Sequence, residues 1–193
     1  MILNDREITA LCHGDAPMIA PFAEGAKRPG VISYGVTSFG YDMRVADEWA
    51  QYVGRGSAVL DPKAAAVTSD ADDPFSARWI NYPAYGPVIQ PGGFMLARSV
   101  EYFRIPEDVL AIVVGKSTYA RCGLIVNCTP MEPGWHGHLT IELHNASQHS
   151  IRVYAHEGIA QAVFYRGNRP AVTYADKQGK YQGQTGVTLG KVE

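Results

Sequence analysis

No stretch of the 193-residue chain approaches eighteen consecutive apolar residues, and the opening Met-Ile-Leu-Asn-Asp-Arg-Glu turns polar after three positions without an apolar h-region. Neither a membrane helix nor a secretory leader is expected, and the sequence points to a cytoplasmic setting. Cysteine is scarce: Cys12, Cys122 and Cys128 form an odd set with no C-x-x-C spacing, which argues against a disulfide framework and against a paired-thiol metal site. A basic excess is missing as well. Lys and Arg number 17 against 19 Asp and Glu, a formal net charge of −2, so the footprint of a protein that grips polymeric nucleic acid is absent, while a small charged ligand stays open. With 46% hydrophobic and 19% charged residues the chain has the material for a core, and its length suits one domain better than two.

Helix is also in short supply. Asn4 or Asp5 can cap one brief helix whose Ile8, Leu11 and Cys12 follow helical spacing, ending near Gly14. From Val31 onward β-branched and aromatic residues alternate with Gly and Pro, and strands are expected over Phe94–Phe103, Val109–Val114, Leu139–Leu143, Ile151–Tyr154 and Ile159–Tyr165. Leu139, Ile141 and Leu143 alternate with Thr140, Glu142 and His144, giving a strand with one apolar and one polar face. Residues 61–78 are small and acidic, without apolar period, and read as a solvated excursion with no chemistry assigned. The fold class predicted is mainly β, a distorted antiparallel barrel or jelly-roll-like sandwich, as one domain over 1–173. A tail over 174–193 holds too little aliphatic bulk to order itself unaided. It is either disordered or a flap that closes over a bound anion with Tyr174, Lys180 and Gln184.

The chemistry concentrates at Gly115-Lys-Ser-Thr-Tyr-Ala-Arg-Cys-Gly123. This is not a Walker A loop, because Leu110 stands where that motif requires glycine. What remains is a glycine-started turn after a buried strand, with a lysine, two hydroxyls and a short helical turn, an arrangement suited to phosphate. A capped helix with solvent-exposed Lys116 and Arg121 is the alternative. Glu142, about twenty residues on, is the carboxylate within reach, and the turn Pro133-Gly-Trp-His-Gly137 brings Glu132 and Trp135 to the same end of the sheet. His136 and His138 would share a strand face but lack a third ligand, so they read as ordinary surface histidines. The chain carries neither the His-x-Glu nor the Pro-Cys-x-x-Cys element of zinc-dependent base deaminases, so any hydrolysis here must activate water with side chains.

The segment Gly115 through Pro130, followed by Glu132-Pro-Gly-Trp, Thr140-Ile-Glu142, Gly158-Ile-Ala-Gln161 and Lys180-Tyr-Gln-Gly-Gln184, resembles the dCTP deaminase family, as do Val31-Ile-Ser-Tyr-Gly and Gly40-Tyr-Asp-Met-Arg in the amino-terminal half. The resemblance implies a dUTPase-like β fold, a homotrimer with active sites between subunits, and zinc-free deamination of dCTP to dUTP and ammonia for thymidylate synthesis. It implies that Glu142 relays the proton of the attacking water, with Ser117 and Arg121 positioning that water and stabilising the charge that develops. Lys116, Ser117 and Thr118, with Tyr119 and Ala120 between them and Arg121, match the triphosphate-gripping segment. Gln161, Tyr174, Lys180 and Gln184 match residues that close over it, the backbone at Thr140 and Ile141 reads the pyrimidine, and Glu132 lies near the deoxyribose. Magnesium is expected to arrive on the triphosphate and not in a protein cage, and dTTP is an inhibitor common in the family. Three alternatives stay open: a bifunctional deaminase and dUTP diphosphatase, a deaminase for a modified dCTP, and a non-enzymatic nucleotide-binding regulatory trimer. The second is raised because Ile141-Glu-Leu-His-Asn145 lacks the aromatic residue more frequent after the glutamate.

Overall fold

The computed structural model describes residues 1–25, 27–52, 63, 77–82 and 85–191. Helix α1 (Asp5–Leu11) is capped by Asn4, whose side chain accepts from the Arg6 and Glu7 amides while the Glu7 carboxylate accepts from the Asn4 amide. That reciprocal pair satisfies donors the first turn would otherwise leave open, and it selects Asn4 over Asp5 as the cap. The strands are β1 (Ile19–Ala20), β2 (Gly35–Thr37), β3 (Gly40–Tyr52), β4 (Ala77–Asn81), β5 (Val88–Ile89), β6 (Phe94–Arg104), β7 (Val109–Gly115), β8 (Leu124–Asn127), β9 (His136–Asn145), β10 (Ile151–Arg152) and β11 (Gly158–Arg166), with a single helical turn α2 (Ser117–Ala120) between β7 and β8. Most of the excursion read at 61–78 lies outside the described residues; its last two, Ala77 and Arg78, begin β4, and Ala77 is buried.

All the strand pairings are antiparallel, and the main sheet runs β7-β11-β3-β6-β9-β8, with β1 added to β6 and β2 and β4 to β3. Its two edges come together where a Cβ on Gly115 would touch Val126 of β8 at 3.5 Å, so the sheet curls into a nearly closed barrel. Near-closure leaves little edge exposed and encloses the main core, built on Tyr41 and Trp49 of β3, Phe103 of β6 and Phe164 of β11. The period-two pattern of β9 holds along its length: Gly137, Leu139, Ile141, Leu143 and Asn145 face inward, while His136, His138, Thr140, Glu142 and His144 are only partly covered.

Beside this face β6 slips register against β9 between Arg98 and Tyr102. Ser99 repairs the interrupted ladder: its Oγ accepts from the Leu139 amide at 2.9 Å and donates to the Glu101 carbonyl at 2.6 Å. The fully buried Glu101 carboxylate accepts from Arg44 Nε at 2.7 Å, the Arg44 amide at 2.9 Å and Tyr41 Oη at 3.3 Å. Burial pushes the Glu101 carboxyl above the usual range against the opposing pull of Arg44. The histidines read as ordinary surface residues are wired into this region. His138 Nδ1 lies 3.1 Å from the carbonyls of both Ser99 and Glu101, and burial followed by the Arg98 charge lowers its pKa. His136 Nδ1 meets Tyr102 Oη at 2.5 Å. Sequence spacing could not show this, because the partners come from the bulge on the neighbouring strand.

The described part of the tail packs against the same face. Trp135 Nε1 donates to the Tyr181 carbonyl at 2.9 Å, the His138 amide donates to the Gln184 carbonyl at 2.8 Å, and the Val187 amide donates to Glu48 Oε1 at 2.8 Å. Val187 is buried with Ala50, Ala77 and Leu96. A segment poor in aliphatic residues is ordered here by borrowed partners, the free edge of β9 and one apolar anchor.

Candidate active site

Strand β9 is flanked unequally. Strand β6 runs along one side of it, whereas β8 covers the other side only from Glu142 to Asn145, and the tail meets it again at Gly137, where Gln184 forms a parallel bridge. Between those two contacts no described strand lies beside residues 139–141, and there a cavity of about 420 Å³ opens, a size typical of small-molecule sites. Thr140 and Glu142 form part of its floor, Glu132 and Trp135 come from the turn before β9, Tyr52 from β3, and Tyr174, Tyr181 and Gln184 from the tail. The fully buried Ile141 side chain backs the floor from the core side. Thr140 Oγ1 donates to Gln184 Oε1 at 3.2 Å and accepts from the Thr188 amide at 3.2 Å, which ties the tail to the strand that carries Glu142.

The described lining contains two carboxylates, Glu132 and Glu142, and no Lys, Arg or His. Burial pushes the Glu142 carboxyl up to about 7, against the smaller opposing effect of a hydrogen bond from Asn127 Nδ2 to Oε2 at 3.0 Å. Nearby groups respond to the same environment. Burial and then the Glu142 charge raise the Cys128 thiol far above its ordinary value, and the Tyr52 phenol is raised by the same two causes in that order. A carboxyl titrating near neutrality takes and returns a proton at little cost, which is the property a general acid–base group needs. Among the described residues no three His, Cys, Asp or Glu side chains gather as a metal ion would require.

Of the residues singled out from sequence, the cavity gathers Glu132, Thr140, Glu142, Tyr174 and Gln184, with Ile141 behind them. Lys116 through Arg121 do not line it. Lys116 precedes α2 and its Nζ pairs with Asp42 of β3, while Ser117, Thr118, Ala120 and Arg121 are exposed on the outside of the barrel. Tyr119 differs from its neighbours: its ring is buried in the core and its hydroxyl accepts from the Tyr154 amide at 2.9 Å, so it holds α2 in place. Gln161 Nε2 donates to Thr37 Oγ1 at 2.9 Å beside the Lys116–Asp42 pair, also away from the cavity. Lys180 is exposed on the tail, with Nζ near the Tyr181 ring and 3.2 Å from the Lys191 carbonyl. Asp42, Asn127 and Tyr52 carry no mark of a site in the sequence. Asn127 and Asp42 sat inside quoted motifs, but their partners become visible only through the β8–β9 register and the approach of β7 to β3.

A family profile described as dCTP deaminase-like matches residues 2–167. The chain is 53% identical over 192 residues to a dCTP deaminase of Erythrobacter litoralis, with 99% of each chain covered. It is 51% identical over 181 residues to a dCTP deaminase of Herpetosiphon aurantiacus, covering 93% of this chain and 92% of that one. In fold it is similar to the crystal structure of the 2'-deoxycytidine 5'-triphosphate deaminase from Agrobacterium tumefaciens, with a TM-score of 0.62 at 20% identity over 86% of this chain and 48% of that chain.

Proposed function

The chain belongs to the dCTP deaminase family, and from that premise we propose that it hydrolyses the 4-amino group of dCTP to give dUTP and ammonia, with Glu142 as the proton shuttle. The observation that carries this proposal is the Glu142 carboxyl on the floor of the cavity, where burial pushes it up to about 7. Ionised, it removes a proton from a water molecule, and the hydroxide so formed adds to C4 of the cytosine. Protonated, it delivers that proton to N3, where it stays in the product; it then takes the proton of the new C4 hydroxyl and gives it to the amino group, which departs as ammonia while C4=O forms, so one group serves both directions. The stretch of β9 at Thr140 and Ile141, left unpaired by β8 and the tail, offers backbone donors and acceptors to the pyrimidine edge. A mispaired polar group there costs about 1–3 kcal/mol, enough to discriminate between bases.

An acidic cavity disfavours a triphosphate, so its cations must come from elsewhere. The exposed Lys116–Arg121 segment supplies Arg121 and the hydroxyls of Ser117 and Thr118, and in a homotrimer these reach the cavity of a neighbouring copy. Tyr174, Gln184 and Lys180 of the tail, with Gln161, complete the grip on the phosphates, and Glu132 faces the deoxyribose. Magnesium enters as part of the substrate, on the triphosphate: the cavity's two carboxylates, Glu132 and Glu142, are assigned to sugar and base and do not form a cage. The protein then works in the cytoplasm, where deoxynucleotide triphosphates are made, with dTTP as an inhibitor that competes for the phosphate-binding groups.

Incubation of the purified protein with magnesium and dCTP tests the reaction directly. Equimolar dUTP and ammonia are expected. Pyrophosphate with dUMP as the accumulating product identifies a bifunctional enzyme, and binding of dCTP without ammonia release refutes the enzymatic reading.

A further inference from the structure

Asn127 is the last residue of β8, directly opposite Glu142 in the antiparallel register. The chain then leaves the sheet through Cys128-Thr129-Pro130, and the last paired position of β8 falls beside the carboxylate. The Asn127 and Glu142 side chains share a face, and Asn127 Nδ2 donates to Glu142 Oε2 at 3.0 Å. No other described side chain donates a hydrogen bond to this carboxylate.

We propose that Asn127 is a positioning residue for the deamination, fixing one oxygen of the Glu142 carboxylate with a neutral donor so that the other oxygen faces the water and the base. This inference rests on Glu142 acting as the proton shuttle. The choice of side chain follows from that task. A lysine or arginine would hold the carboxylate ionised and oppose its return of the proton, while an apolar residue would leave burial unopposed and keep it protonated. An amide orients the group and favours the ionised form only weakly. The other titratable groups facing Glu142 are Cys128, His144 two residues on along β9, Tyr52 of β3, Glu132 of the turn, and Tyr174 and Tyr181 of the tail, while β6 presents Leu96, Phe94 and, one pair along opposite Thr140, Arg98. Arg98 is held by Glu48, with Nε 2.6 Å from Oε2, and none of the others is a fixed cation, so Asn127 is the group whose removal shifts the balance.

The test compares pH–rate profiles of the wild type, Asn127→Ala, Asn127→Gln and Asn127→Asp, with Glu142→Gln as the reference. Asn127 is exposed, so the variants should fold, which thermal melting verifies. For Asn127→Ala the acid limb of kcat/KM should move up by about half to one pH unit and kcat at pH 7 should fall about tenfold, with KM for dCTP within about twofold. Asn127→Gln should recover part of the loss, and Asn127→Asp should move the limb further up, because a second carboxylate then faces the first. An acid limb that stays in place in Asn127→Ala, with Glu142→Gln inactive, overturns this proposal alone. A Glu142→Gln enzyme that keeps its turnover overturns both this proposal and the role of Glu142 on which it rests.

Discussion

Replacing Glu142 with glutamine should make the protein more stable at alkaline pH while removing its activity. The carboxyl titrates near 4.5 in the unfolded chain and at about 7 in the folded one, with burial the first cause. Between those values the native state holds a proton that the unfolded chain has released, so stability falls as pH rises from about 4.5 to about 7, and the deficit is complete above that window. At about 1.36 kcal/mol for each pH unit of displacement the ceiling is about 3.4 kcal/mol. Glu142 is only partly covered, and solvent screening reduces this to about 1–2 kcal/mol. Glutamine keeps the shape and never ionises, so its melting temperature should match wild type near pH 4.5 and exceed it by about 2–6 °C at pH 8 and above. Scanning calorimetry at fixed protein concentration, without nucleotide, measures this, while turnover should drop by about 10²–10⁴-fold. A stability difference that does not change with pH, or a glutamine variant that melts below wild type at pH 8, would show that the carboxylate is well solvated and would remove the physical basis for its role.

Two further outcomes follow from the packing. Arg44→Met strands the buried Glu101 carboxylate and should cost about 3–5 kcal/mol in urea unfolding, with part of the loss recovered in acid where Glu101 takes up a proton. Ending the chain at Gly186 removes the Val187 anchor and its hydrogen bond to Glu48 while leaving Tyr174 and Trp135 packed. Calorimetric titration should show dCTP binding weakened about five- to tenfold with the far-ultraviolet spectrum unchanged, and unaltered affinity would show that the last turn of the tail plays no part in holding nucleotide.

The long elements were legible in the sequence because their apolar residues recur at the period the backbone imposes. Alternation over Leu139–Leu143 located β9 and the face that carries Glu142, and the run from Val109 marked β7. The short strand β8 was not read as a strand, since Leu124–Asn127 has four residues and no alternation of its own; its place comes from pairing with β9. The His136 and His138 environments escaped for a related reason. Both depend on the bulge at Ser99–Glu101, where a register slip on β6 turns backbone carbonyls toward the ring of a residue on another strand. Motif reading brought the right residue types together, yet it could not tell that Tyr119 points into the core while its neighbours Thr118 and Ala120 face out. The arrangement of the site is tertiary information. Asn127, Tyr52 and the tail residues converge on Glu142 from segments well over a hundred residues apart, and local spacing carries no record of that.

The distribution of charge makes the strongest demand on how the protein assembles. One chain places Glu142 in a cavity whose described walls carry no cation, and it exposes Arg121 and the hydroxyls of Ser117 and Thr118 elsewhere on the barrel. If each site joins the Glu142 cavity of one copy to the Arg121 segment of the next, two inactive variants should rescue each other. Glu142→Gln and Arg121→Ala, unfolded together and refolded as a one-to-one mixture, would pair an intact cavity with an intact cationic segment at about one site in four of a randomly assembled trimer. Activity should therefore return to about a quarter of wild type, counted per site, although each variant alone is nearly inert. Size-exclusion chromatography with light scattering confirms that the mixture has reassembled. If the reassembled mixture is as inactive as its components, Arg121 acts on the Glu142 of its own chain, and the shared site must be abandoned.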